Sequence, residues 1–152
     1  MEIYEMDYVS NEHLQEVCNI KQPVLFFYKS IHPEFFEALD HEHLDRLDSY
    51  DVKVKDVRDY YADEPNVDFT VMPFRSAETL MTTDTKSSYF TENNHTTIDE
   101  AGLLKTFKTN DDFFKPSFTV KTQYDLLVGS KNTCTPLRYH KNERVLLTVI
   151  TG

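Results

Sequence analysis

The densest group of metal-type ligands in this chain is Asp40-His41-Glu42-His43-Leu44-Asp45. On a helix, His41 and His43 lie two positions apart and point about 200° from one another, so they do not readily share an ion. His41 and Asp45, at i and i+4, fall on one side and could. A solvated, charged helix face is the simpler expectation for so mixed a run. The paired acids Asp99-Glu100 and Asp111-Asp112 have no base beside them and read as helix N-terminal and turn charges. Cys18 has His13 five positions away, but it falls on the apolar side of its helix, where a thiol serves as a packing group. No glycine-rich phosphate loop and no G-x-S-x-G elbow occurs.

The elements that must position such residues are those of one domain over residues 1–152. Apolar residues make up 39% of the chain, with eleven Phe and nine Tyr, a composition that packs a core. The formal charge of −10 repels a phosphate backbone, which argues against a nucleic-acid partner. Cys18 and Cys134 are too few and too far apart for a disulfide framework; two buried free thiols in a reducing compartment are expected. The acidic start, Met1 to Asp7, is unlike a signal peptide, and no run approaches the about 18 apolar residues of a membrane span. Cytoplasm, or nucleus, is the expected location, with no membrane partner.

Up to residue 116 the pattern predicts a layer of short helices and strands. Ser10 or Asn11 caps a helix to about Cys18 with Leu14, Val17 and Cys18 inward. Pro23 opens a buried strand, Val24 to Tyr28. Pro33 starts a helical stretch carrying Phe36, Leu39, Leu44 and Leu47. Asp51 to Val57 alternates as a half-buried strand does, Asp59 to Asn66 reads as a loop, and Val67 to Phe74 as extended. Ser76 is expected to cap a helix to about Thr82, Ser87 to Thr91 to form a brief strand, and Thr97-Ile-Asp-Glu100 to open a helix to Phe107 as a capping box. From 117 to 152 the pattern predicts strands: Phe118 to Gly129, Thr135 to His140, and Val145 to Thr151, separated by turns. The last is apolar on both faces and needs partners on both edges. The sequence therefore reads as a fragment, or as a chain whose missing strands come from another chain, with self-association through the C-terminal strand as one outcome.

The segment Asp125-Leu-Leu-Val-Gly-Ser-Lys-Asn-Thr-Cys-Thr-Pro-Leu-Arg-Tyr-His140, followed by Val145-Leu-Leu-Thr-Val-Ile-Thr-Gly152, resembles the start of the catalytic barrel of cupin-like, JmjC-type proteins. That family includes the asparaginyl hydroxylase of hypoxia-inducible factor, and viral and algal cupin-like members are similar in texture. Its pattern is a strand, a turn, T-P-x-H-x-D, and a strand ending in Gly. Pro23-Val24 before an apolar run and Tyr89-Phe90 before an acidic patch are similar too. The resemblance implies an α+β fold: the N-terminal helix and strand layer, then the first strands of an incomplete double-stranded β-helix, or cupin, barrel.

The family holds Fe(II) with two His and one carboxylate, leaving positions open for 2-oxoglutarate and dioxygen. The first His and the carboxylate map onto Arg138 and His140, which period two points to one side of a strand. Arg cannot be deprotonated in a protein, so Arg138 cannot ligate iron; His140 stands as a metal ligand where the family has a carboxylate. The distal His has no counterpart. Thr135 matches a family Thr that contacts the 2-oxoglutarate carboxylate, and Arg138 and Arg144 could hold an anion by bidentate contacts. The simpler expectations are an Arg138 paired with an acidic neighbour, a hydrogen-bonded structural His140 and a Thr135 that is a plain strand residue. As it stands, the chain reads as a non-catalytic cupin-like domain that binds a protein or a small anion, with no cofactor of its own. The alternative is an Fe(II)- and 2-oxoglutarate-dependent hydroxylase whose remaining barrel strands lie outside this chain.

Overall fold

Short runs of apolar and aromatic residues broken by charged ones produce short elements. A computed structural model of the protein describes residues 2–40, 44–60, 68–135 and 144–151. In chain order they form β1 (Tyr4–Asp7), α1 (Asn11–Cys18), β2 (Val24–Phe27), α2 (Pro33–Glu37), a 3-10 turn (Asp45–Leu47), β3 (Asp51–Asp56), a second 3-10 turn (Val57–Tyr60), β4 (Thr70–Pro73), α3 (Phe74–Thr83), β5 (Tyr89–Thr91), α4 (His95–Glu100), α5 (Leu104–Lys108) and α6 (Asp111–Phe114). The class is α+β. The chain divides into two compact units, Met1–His43 with Lys105–Thr122 and Leu146–Gly152, and Leu44–Leu104 with Gln123–Val145.

The first unit is built on a β-α-β crossover. β1 and β2 pair in parallel, Tyr4 opposite Val24 through Asp7 opposite Phe27. Helix α1 joins them, as parallel strands require a crossover. Ser10 caps that helix as expected, its hydroxyl accepting from the His13 amide at 3.2 Å, and Leu14 is buried. Alternation along β2 sends Val24 and Phe26 inward and Leu25 and Phe27 outward. The expected fully buried strand is thus buried on one face only, and Phe27 is 83% exposed. The inward face meets an aromatic cluster. Phe114, on α6, lies 4.6 Å from Tyr28 edge to face, 5.5 Å from Phe26 and 5.8 Å from Tyr8 between ring centroids. Tyr28 in turn lies 5.2 Å from Phe36, on α2. Such pairs add about 0.5–1.5 kcal/mol each beyond area burial. The helix that starts at Pro33 ends at Glu37, with Leu39 buried just beyond it. Leu44 is only half-buried, and Leu47 belongs to the 3-10 turn.

The second unit is a three-stranded antiparallel sheet in the order β4-β3-β5. Val54 of the central strand faces both Thr70 and Thr91 across the ladders. Helix α3 packs against all three strands and buries Phe74, Ala77 and Met81, an i, i+3, i+7 stripe. It begins at Phe74 behind Pro73, so Ser76 is an exposed helix residue and not the cap. Thr97 lies within α4, which starts after Asn94; its hydroxyl leaves the helix to donate to the Asp51 carbonyl at 2.6 Å. The expected continuous helix from Thr97 to Phe107 is broken at Gly102, whose φ of +73° suits glycine, and resumes as α5.

No closed barrel forms among the described residues. Within 118–135 and 144–151, where strands are expected, the one β feature is the bridge between Phe90 and Gly129. Phe118 and Val120 are fully exposed, so alternation there buries no face.

The packing fixes two contrasting outcomes. Phe114→Ala should cost about 3–5 kcal/mol, because it empties the centre of the aromatic cluster. Phe118→Ala should change stability by no more than about 0.5 kcal/mol. Urea denaturation followed by tyrosine fluorescence checks both, and equal effects of the two substitutions would contradict this description of the core.

Candidate functional site

The segment that carries the sequence-derived candidates begins as a strap along the free edge of β5. Around the Phe90–Gly129 bridge, the Thr91 amide donates to the Val128 carbonyl at 2.8 Å and the Ser130 amide to the Tyr89 carbonyl at 2.9 Å. On either side, side chains replace the ladder. The Thr91 hydroxyl donates to the Leu126 carbonyl at 3.2 Å and accepts from the Val128 amide at 3.0 Å. The Asp125 carboxylate accepts from the amides of Asn93 and Asn94 at 2.7 and 3.0 Å, across the left-handed turn at Asn93. The ring of His95 donates from Nδ1 to the Tyr124 carbonyl at 2.8 Å. Ser87 donates to the Lys131 carbonyl at 2.7 Å. Val128 and Gly129 therefore sit beside β5 without extending a strand, because buried Thr91 takes the hydrogen bonds that a longer ladder needs.

Of the four candidate site residues, two lie within the described structure. Thr135 follows the turn closed by the Thr133 amide on the Ser130 carbonyl at 3.0 Å, and it is exposed. Arg144 is half-buried, and its Nη1 is enclosed without a hydrogen-bond partner among the described residues. Leaving a buried donor unmet costs about 1–3 kcal/mol, so Arg144 keeps an unused capacity for an acceptor. No hydrogen bond or ion pair joins Thr135 to Arg144 among the described residues. Arg138 and His140 lie outside the described residues, as do His41 and His43. Among the described residues, no three His, Cys, Asp or Glu side chains are grouped to hold a metal ion. The thiols differ from expectation: Cys18 is half-buried, and Cys134 is exposed beside the Asn132 carbonyl.

Three polar features escaped the sequence reading. Lys55 and Glu92 form an ion pair at 3.1 Å with both side chains largely buried, Lys55 on the strand parity opposite Val52 and Val54. The alternation of Asp51-Val-Lys-Val-Lys-Asp56 shows that Lys53 and Lys55 share a face, but not that this face is covered. A shallow cleft of about 140 Å³ beside Lys55 is also lined by Asp56, Phe69, Met72 and Tyr89. That is below the ~300–1,000 Å³ of a typical small-molecule pocket. His32 stacks on Phe113 at 4.8 Å with Nε2 2.8 Å from the Thr109 hydroxyl and Nδ1 3.3 Å from the Glu34 carboxylate. It ties α2 to the turn before α6, and its position just before Pro33 was the available signal.

No protein-family model matches the chain, and no curated protein matches it either.

Asp84 organises the approach to β5. Its carboxylate accepts from the Lys86 and Ser88 amides, each at 2.7 Å, and these bonds, the Ser88 one foremost, hold its pKa down to about 2 from the ordinary 3.8. A group whose folded pKa is depressed stabilises the fold above its unfolded value and loses that contribution as pH falls through the folded value. Asp84→Asn should therefore lower the Tm at neutral pH. The gap between variant and parent should start to narrow near pH 3.8 and close towards pH 2. Thermal melts across that range check this; a gap that does not change with pH would show that the carboxylate charge plays no part.

Proposed function

We propose that this chain is a cupin-like domain acting as a non-catalytic protein-binding module, in which Val145 to Ile150 pairs as a β-strand with a partner chain. The observation that carries the reading is the exposure of this apolar run: Val145 56%, Leu146 45%, Leu147 73% and Val149 69%. Each such side chain is worth about 1.5–3 kcal/mol when buried, so four left wet are a strong driving force for association. The run is rich in β-branched residues, and among the described residues none of its backbone groups takes part in a backbone–backbone hydrogen bond. Among the described residues these donors and acceptors are open to a ladder with another strand, the mode of β-augmentation. Thr148 is anchored by a 3.2 Å hydrogen bond to the Tyr28 hydroxyl, which turns Leu147 and Val149 the other way.

On this reading the resemblance to the start of a cupin barrel describes what the segment becomes when partner strands meet it. Thr135, Arg138 and Arg144 then serve anion or partner binding, no nucleic acid is bound, and the protein works in cytoplasm or nucleus. No helix among the described residues is long and apolar enough to cross a membrane. The second reading, an Fe(II)- and 2-oxoglutarate-dependent hydroxylase with His140 as a metal ligand, rests on the motif alone and meets an arginine at the first ligand position.

Sedimentation velocity over a concentration series tests the module. The parent chain should self-associate through the open run when no partner is present, and Leu147→Lys should return it to monomer. A parent that stays monomeric at every concentration and melts cooperatively would overturn the reading. Calorimetric titration with Mn(II), in the presence of 2-oxoglutarate, should give no saturable isotherm. A one-to-one isotherm of about micromolar affinity, lost on His140→Ala, would establish the hydroxylase reading instead.

A further inference from the structure

The outer face of the β1–β2 sheet is a second surface, apart from the C-terminal run. Parallel sheets are normally covered on both faces, because their crossovers place helices there. Here the aromatic cluster covers the face bearing Phe26. The opposite face carries Glu5 and Asp7 on β1, directly beside Leu25 and Phe27 on β2. All four are exposed, Phe27 by 83% and Leu25 by 43%, and Ile3, of the same parity, extends the apolar area at 59%. Tyr28, whose hydroxyl meets the C-terminal run at Thr148, is buried and of the opposite parity, so that run does not supply the cover.

We propose that this face docks an amphipathic helix of a partner protein that carries Lys or Arg beside its apolar stripe. Two strands about 4.8 Å apart make a strip about as wide as one helix, whose diameter with side chains is about 10 Å. Four residues per strand span about 13 Å, or between two and three helical turns. The apolar stripe covers Leu25, Phe27 and Ile3, and the cations reach the Glu5 and Asp7 row. Two carboxylates next to exposed aromatic and aliphatic groups select a basic partner over a neutral one. A second copy of this chain is a poor occupant: apposing two such faces brings four carboxylates together, within a chain of net charge −10.

The probe is a fluorescein-labelled helical peptide of leucine and lysine with the leucines on one face, read by fluorescence anisotropy against the full chain. It should bind. A scrambled peptide and a leucine–glutamate peptide should bind at least about tenfold more weakly. Phe27→Thr and the double variant Glu5→Lys with Asp7→Lys should each weaken binding by at least about tenfold, with far-UV circular dichroism unchanged, since all three positions are at the surface. Leu147→Lys should leave this binding unchanged, which separates it from the C-terminal run. Absence of binding to the parent chain, or retention of binding by either surface variant, overturns the proposal. So does a dimer of the parent that Phe27→Thr dissociates, which would make the occupant a second copy. Binding to phosphatidylglycerol vesicles that is lost on Phe27→Thr would likewise overturn it, by making the face a membrane contact.

Discussion

The organisation of the second unit depends on where the edge of β5 sends its hydrogen bonds. Thr91 is almost fully buried, and it uses three groups on the strap: amide to Val128, hydroxyl to Leu126, hydroxyl from Val128. A ladder would have given those backbone groups to successive residues of a fourth strand. The side chain collapses that exchange to a single bridge at Gly129. Asp125 and Asp84 then hold the turns at either end of β5 by accepting amide hydrogens. A buried hydroxyl and two carboxylates thus define how far the sheet extends, and the sheet stops at three strands.

The first unit answers a different constraint with the same economy. A two-stranded parallel pair is too small to be stable by itself, so it depends on what packs against it. The aromatic rings of Tyr8, Phe26, Tyr28 and Phe114 provide that packing on one face. Four residues per strand leave too little width for a core on both faces, and Leu25 and Phe27 remain outside. The two units thus differ: the strap meets the β5 edge of the second, whereas the outer face of β1–β2 in the first stays exposed among the described residues.

Much of the order before residue 116 was legible because local signals decide it. Ser10 before an amphipathic octet, the alternation from Asp51, and the Pro33 start each act over a single turn or strand. Ends were less legible, since tertiary contacts set them: Thr97 looks like a cap by spacing, yet its hydroxyl is claimed by the Asp51 carbonyl, a residue distant in sequence. After residue 116 the alternation of Phe118, Val120 and Thr122 has the period of a strand, but period alone supplies no neighbour to pair with. The candidate site was legible as residue types only. Thr135 is exposed and Arg144 half-buried, and no hydrogen bond joins them among the described residues, while the Lys55–Glu92 pair arises from two segments with no local signature in common.

The net charge of −10 bears on which of these surfaces can act together. Self-repulsion of that size acts between compact chains only at short range, because physiological salt screens it beyond about 8–10 Å. Contacts that bury apolar side chains with no acid next to them in the sequence, such as Leu147 and Val149, can still close between copies once they are near. The outer face of β1–β2 cannot, because Glu5 and Asp7 lie within the contact itself, where screening fails as water is expelled. The same charge that tolerates one surface in self-contact therefore disfavours the other. If the β1–β2 face docks a cationic helix as proposed, raising the salt concentration should loosen that contact, while the proposed C-terminal pairing, which would rest on apolar burial and backbone hydrogen bonds, should change little.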